Sequence, residues 1–329
     1  MPLTIEAYQP HAHPPSPADI TVGLINNMPD AAVEGTERQF SELLRAACAA
    51  RTLRLRFSHL PQVPRGASTR DRLAAEYWPL ERLLEEGLDA LIVTGMEPGG
   101  GALTEEPYWP AFARLIRWAQ AHTISSIWSC LAAHAAVLHL DAIQRRRLER
   151  KCFGVYAHEL LRGHPLLAGL QAPLYTPHSR WNELPVAALR AAGYTILSGS
   201  ATTGADAFTK EAGSLFVFFQ GHPEYEETTL LKEYRRDVGR YARGEQADYP
   251  GMPPGYFSAA ATALLDEFRA RLLVTPTQET FASFPAESAA LELRSPWRAT
   301  AVQIYQSWLS FIAAAKNKLP EQTLQASIQ

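Results

Sequence analysis

The sequence predicts an α/β protein built on a doubly wound, mostly parallel sheet with helices on both faces, followed by C-terminal helices. Three observations carry that expectation. Short apolar, β-branched runs alternate along the chain with segments of helical period. The run at 89–95 (DALIVTG) is apolar nearly throughout, as a parallel strand covered on both faces must be. Alternation of this kind winds a sheet through right-handed crossovers and leaves ligands to bind at the carboxyl ends of its strands.

Residues 18–26 (ADITVGLIN) give the first strand, ended by Asn26-Asn27 and Pro29. Thr36 and Gln39 have capping-box spacing, and Phe40, Leu43, Leu44 and Cys48 then repeat at helical intervals. LRLRFSHL (53–60) alternates as a second strand, and a loop with Pro61, Pro64 and Gly66 leads to a helix around 79–87. The third strand, 89–95, runs directly into the segment Gly99-Gly100-Gly101. A stripe through Trp109, Phe112, Leu115, Ile116 and Ala119 marks a helix over 108–122. SSIWS is the fourth strand, followed by Cys130 and the helical LAAHAAVLHL. CFGVY, after a basic run, is strand-like, and further strands fall at 194–200 and 214–220. A charged helix (TLLKEYRRDVGRYARG), a Pro/Gly-rich linker at 244–256 and helices at 257–272 and 296–315 follow. The expected organisation is an N-terminal extension (1–17), a main domain (18–245) and a C-terminal helical extension (246–329) packed on that domain.

Composition narrows the function. Of 329 residues 47% are hydrophobic and 20% charged, a globular balance. The 31 Lys+Arg against 34 Asp+Glu leave a net charge of −3, without the basic excess of a nucleic-acid partner. No run approaches the ~18 apolar residues of a membrane span. The Pro- and His-rich N-terminus lacks a charged-then-apolar signal pattern, so a cytoplasmic location is expected. Three cysteines, with no CxxC pair, suggest neither a disulfide framework nor a metal site. The triple glycine is too short and wrongly spaced for a nucleotide-phosphate loop.

Cys48 lies in an apolar helical run and Cys152 opens a strand-like piece, so both read as core residues. Cys130 falls at a strand-to-helix turn, where helix N–H groups stabilise a thiolate and can hold an oxyanion. The apolar strand LFVFFQ delivers Gly221-His222-Pro223-Glu224 to the end of a second strand. There His222 can reach the nucleophile. Glu224, two residues on, points to the same side if the segment is extended and can orient the imidazole.

Cys130 with His222-Pro223-Glu224 on a doubly wound sheet resembles the class I glutamine amidotransferase-like superfamily, and within it the homoserine O-succinyltransferases. The matching pieces are Asn27-Met28-Pro29, Thr36-Glu37-Arg38-Gln39, LIVTG at 91–95, Tyr108-Trp109 and Lys151-Cys152-Phe153-Gly154-Val155. Pro177-His178-Ser179-Arg180, Gly221-His222-Pro223-Glu224-Tyr225, Glu233-Tyr234-Arg235-Arg236-Asp237 and Trp297-Arg298 continue the match in order.

The resemblance implies ping-pong acyl transfer from succinyl-CoA to the hydroxyl of L-homoserine, with Cys130, His222 and Glu224 catalytic and no cofactor beyond acyl-CoA as substrate. It puts Lys151, Ser179 and Arg236 in the amino-acid pocket and implies a homodimer. The acyl selector is Gly99, or Gly100 if a residue is inserted before Pro98, and either glycine leaves room for a succinyl chain. Glu97 lies close enough in sequence to intrude on that space. Pro98 has no N–H, so the second oxyanion donor is expected from Gly99, paired with Leu131.

Departures from the family pattern are the missing tryptophan beside Cys130 and a histidine, His134, where glutamine is usual. These departures leave serine or a different hydroxy amino acid as the alternative acceptor, and Glu97 leaves acetyl-CoA as the alternative donor. A glutamine-hydrolysing amidotransferase and a non-catalytic binding protein are the alternatives outside it.

Overall fold

In the computed structural model the described residues are 3–8, 19–49, 51–97 and 99–318. The strands are β1 (Leu3–Ile5), β2 (Ile20–Ile25), β3 (Leu53–Ser58), β4 (Ala90–Val93), β5 (Ser125–Ser129), β6 (Arg146–Leu160), β7 (Leu174–Glu183), β8 (Thr195–Ile196), β9 (Ser198–Ser200), β10 (Gly204–Ala205), β11 (Ala207–Glu211) and β12 (Leu215–Phe219). Helices alternate with them. They are α1 (Val33–Ala47), α2 (Ala67–Glu76), α3 (Leu80–Glu85), α4 (Trp109–His122), α5 (Leu131–Asp141), α6 (Val186–Ala191), α7 (Thr229–Ala242), α8 (Ala259–Val274), α9 (Gln278–Ala282), α10 (Ala286–Ala290) and α11 (Arg298–Lys316).

The main sheet has eight strands in the order β1-β3-β2-β4-β5-β12-β11-β8. From β1 to β12 every pairing is parallel, while β11 runs antiparallel to both β12 and β8. Strand periodicity divides the core in two. In β12, Leu215, Val217 and Phe219 enter one apolar cluster and Phe216 and Phe218 the other. The first cluster is completed by Phe40, Leu43 and Leu44 of α1 and by Ile304, Trp308 and Ile312 of α11. The second takes Phe112, Leu115 and Ile116 of α4 and the alanine-rich face of α5. Burial on both faces is why β4, β5 and β12 lack polar alternation.

A smaller sheet, ordered β10-β9-β6-β7, sits beside the main one. Phe153 and Val155 of β6 share a third cluster with Tyr234 of α7, Phe268 of α8 and Trp297. The C-terminal helices thus pack on the same body as the main sheet, α8–α10 through this cluster and α11 on the sheet itself.

Several boundaries differ from expectation. The N-terminal extension is not wholly an appendage, because β1 pairs with β3 at the sheet edge; residues 9–17 lie outside the described residues. Thr36 does not cap α1, which begins at Val33 after a turn of 3-10 helix. Instead Thr36 is buried inside α1, and Gln39 donates to Thr229 Oγ1 at 2.8 Å, tying α1 to the start of α7. The strand at 194–200 divides, with β8 entering the main sheet and β9 the smaller one. The hairpin of β6 and β7 exceeds the short strand CFGVY, since the first half of β6 is charged and exposed.

Trp308 is buried, and its Nε1 donates to Ser125 Oγ at 2.9 Å, fastening α11 to the central strand that carries the site. Trp308→Ala should cost about 3–5 kcal/mol of stability. Urea unfolding that moves by less than about 1 kcal/mol would show that α11 does not brace the sheet.

Candidate active site

Cys130 follows β5 directly and sits at the amino end of α5, with φ 52 and ψ −113. A non-glycine residue with positive φ is strained, and such strain is held where surrounding bonds over-determine it. Here the Cys130 N–H donates to Phe219 O of neighbouring β12 at 2.8 Å, and its carbonyl accepts from His134 N at 3.2 Å. Gly95, just beyond β4, closes over the turn. A Cβ there would fall 3.4 Å from Leu131 N and 3.7 Å from Cys130 Cβ, in ordinary contact with the turn.

His222 stands just beyond the end of β12, the neighbour of β5. Its N–H donates to Pro177 O at 2.8 Å, and its Nδ1 lies 2.9 Å from Glu224 Oε1. The segment is not extended as expected. Tyr225 N donates to His222 O at 3.2 Å, so a turn brings the carboxylate to the ring. Ser129 Oγ donates to the same Glu224 oxygen at 3.3 Å. Both side chains are buried, and with Nδ1 turned to Glu224 the His222 ring interacts with Cys130 through its other edge. Burial disfavours a charge on the imidazole, but the Glu224 carboxylate and the Cys130 sulfur outweigh it and hold His222 protonated well above the usual histidine range.

The loop carrying His222 is braced from behind. Gln220 Nε2 donates to Ala205 O at 2.6 Å, and its Oε1 accepts from Leu184 N at 2.9 Å and faces His134 Nε2 at 3.0 Å. His134 is buried and neutral, its pKa pushed down to about 3 by burial. It links α5 to Gln220, just beyond β12, and meets Cys130 through its backbone N–H.

Gly221 has no room for a side chain, since a Cβ would meet Thr176 Cγ2 at 2.5 Å and Asp206 Oδ1 at 2.7 Å. Behind it, His158 Nε2 lies 3.1 Å from His178 Nε2, which is 3.3 Å from Asp206 Oδ1. Three buried donors this close could hold a metal ion. However, Arg180 Nε donates to His178 Nδ1 at 3.3 Å, which puts the imidazole proton on Nε2, the atom a metal would need. The group therefore fits a hydrogen-bonded buttress: His158, His178 and the Thr176 hydroxyl hold the Asp206 carboxyl ionised against its burial, and burial keeps His178 neutral, its pKa about 4.

Lys151, Ser179 and Arg236 meet at the acids of α7, each already engaged. Lys151 Nζ lies 3.0 Å from Asp237 Oδ2, Ser179 Oγ donates to Glu233 Oε2 at 2.5 Å, and Arg236 Nη2 lies 3.0 Å from Asp237 Oδ1. Two residues that sequence reasoning missed join them to the catalytic pair. Tyr225 stacks on the His222 ring, with centroids 4.2 Å apart, and donates from its hydroxyl to Glu233 Oε1 at 2.7 Å. Glu233, Arg236 and Asp237 share a face of α7, a spacing visible in the sequence.

The expected oxyanion pair is corrected in one member. The Gly99 N–H donates to Glu106 Oε1 at 2.6 Å and is not free for an oxyanion. Gly95, whose Cα faces Leu131 N, is the loop residue beside the nucleophile. Glu97 is exposed, and the ideal Cβ position of Gly100 (φ +96) meets nothing within 4 Å. Pro98 lies outside the described residues.

Of the three thiols only Cys130 is partly exposed, and burial pushes the Cys48 and Cys152 thiols up. Iodoacetamide at neutral pH should therefore label Cys130 first, as read by peptide mapping. Glu224→Gln removes the charge that supports the imidazolium, so His222 deprotonates at lower pH and labelling near neutrality should fall about tenfold. Equal labelling of all three cysteines would contradict this geometry.

A model of the homoserine O-succinyltransferase family matches residues 9–319. A homoserine O-succinyltransferase of Rhodopseudomonas palustris is 45% identical over 295 residues, covering 90% of this chain and 89% of its own. One from Methylorubrum extorquens is 44% identical over 294 residues, covering 89% and 87%. Among solved structures, a glutamine amido transferase from Methylobacillus flagellatus aligns with a TM-score of 0.50 at 14% identity, over 89% of this chain and 94% of that one, a likeness of fold alone. On sequence, fold and motif order together, this chain belongs to the homoserine O-succinyltransferase family, a family of acyltransferases.

Proposed function

We propose that the protein transfers a succinyl group from succinyl-CoA to the side-chain hydroxyl of L-homoserine through an acyl-enzyme on Cys130. The observation that carries this reading is the continuity of the two halves of the site. The imidazole beside the nucleophile stacks on Tyr225, whose hydroxyl holds the acid at the centre of the amino-acid pocket.

In the first half-reaction Cys130 Sγ attacks the thioester carbonyl. The oxyanion faces the first-turn N–H of Leu131 and the backbone at Gly95. Collapse breaks the carbon–sulfur bond to CoA, whose thiolate takes the proton held on His222 Nε2. In the second half the homoserine hydroxyl gives its proton to Nε2 as its oxygen attacks the acyl carbon, and collapse releases the Cys130 thiolate. Glu224 keeps the ring oriented and supports its charge in both halves.

For the acceptor, Arg236 and Lys151 supply the positive charge that the α-carboxylate needs, and Glu233 supplies the negative charge for the α-ammonium. Ser179 and Tyr225 donate to Glu233 and hold it in place. The backbone at Gly99 and Gly100 presents no side chain to a longer acyl group.

Radiolabelled succinyl-CoA should leave a thioester on Cys130 that Cys130→Ala abolishes and that homoserine discharges. Arg236→Lys should raise the KM for homoserine about ten- to a hundredfold, because a point charge replaces a bidentate one. Glutamine hydrolysis without acyl label would overturn the reading in favour of an amidotransferase, and absence of both would favour a binding protein.

A further inference from the structure

The basic run after α5 contains a half-buried cation, Arg145, that is paired with no acid among the described residues. Arg146 pairs with Glu183, the Arg147 guanidinium lies 4.9 Å from the ring centre of Trp181, and Lys151 pairs with Asp237. Arg145, half-buried, makes no hydrogen bond or ion pair among the described residues. The chain reverses at Ala142 (φ 55), and the Arg145 guanidinium comes within electrostatic range of Cys130, Tyr108 and Glu106. A partly desolvated guanidinium without a counter-ion is costly unless something completes it.

A second group points the same way. Tyr108, at the amino end of α4, is only 1% exposed, and its hydroxyl has no hydrogen-bond partner among the described residues. It too lies within electrostatic range of Arg145 and of Glu106. Glu106 is turned to the loop, where Oε1 accepts the Gly99 N–H. Its charge offsets part of that on Arg145 without contacting it. An unpaired guanidinium within electrostatic range of Cys130 and an unpaired phenol within range of that guanidinium therefore share the neighbourhood of Glu106, the residue that holds the glycine loop.

We propose that Arg145 and Tyr108 form a subsite for the free carboxylate of a dicarboxylic acyl group carried on Cys130. The proposal rests on the acyl-enzyme reading above and names what selects the donor. A succinyl chain places a carboxylate two methylene groups beyond the reacting carbonyl, where the guanidinium fork and the phenol O–H can share it. An acetyl or other neutral acyl group leaves both groups unsatisfied, and that penalty is the discrimination. Space at Gly99 and Gly100 admits the longer chain; the cation makes the longer chain preferred.

The test compares kcat/KM for CoA release from succinyl-CoA with that from butyryl-CoA, which has the same carbon count and no charge. Wild type should prefer succinyl-CoA. Arg145→Met should lower the succinyl-to-butyryl ratio by about ten- to a hundredfold, Tyr108→Phe by about three- to tenfold, and Arg145→Lys by less than Arg145→Met. A ratio measured within one preparation does not depend on how much of the variant is folded.

Equal losses on both donors in Arg145→Met would mean that Arg145 serves the CoA moiety or the fold, and would overturn the subsite. A wild type that uses butyryl- or acetyl-CoA as well as succinyl-CoA would overturn the subsite and leave acyl transfer standing. A wild type that forms no acyl-enzyme from any of the three would overturn both.

Discussion

The parallel pairing of β5 with β12 is the constraint on which the rest of the molecule depends. The two strands run in register, Ser129 opposite Phe219, and the chain leaves both at the same level. From one end it turns into Cys130 and α5, and from the other into His222 and Glu224. The backbone bond from Cys130 N to Phe219 O joins the two turns before any side chain is considered. A slip of one residue in this pairing would exchange the inward and outward faces of β12, so the packing of five consecutive apolar residues protects the active-site register.

Charge is handled in two tiers around that centre. Behind His222, Asp206 and Arg180 bracket His178, which burial keeps neutral. In front of it, Lys151 and Arg236 are held by Glu233 and Asp237, partners that in the proposed reaction a zwitterion would exchange with. Tyr225 belongs to both tiers, since its face meets the imidazole and its hydroxyl meets Glu233. In the proposed reaction an acceptor bound at Glu233 would therefore sit one residue, Tyr225, away from the imidazole.

Much of this was legible from the chain alone because central strands announce themselves. SSIWS and the strand at 214–220 are apolar, short and bounded, and the structure keeps them nearly to the residue. The smaller sheet was not legible, because half of β6 is a charged run whose strand character comes from pairing with β7, a contact distant in sequence. The turn at Glu224 hid for a related reason, since spacing of two suits a strand or a tight turn equally. Gly99 was assigned by motif order alone, and nothing local revealed that Glu106, seven residues on, captures its N–H. Glu233 shows the opposite case, a residue visible in a matching motif whose importance emerges only when its two hydroxyl donors come from other elements.

The backbone at Cys130 carries a wider implication. With φ at 52 and ψ at −113, the residue occupies a conformation that glycine alone would adopt without penalty. The reactive sulfur is therefore attached at the spot where the polypeptide would be better off with no side chain. Catalytic competence and conformational ease pull in opposite directions at this single position. A lineage that lost the need for acyl transfer would find its first stabilising change at the nucleophile itself.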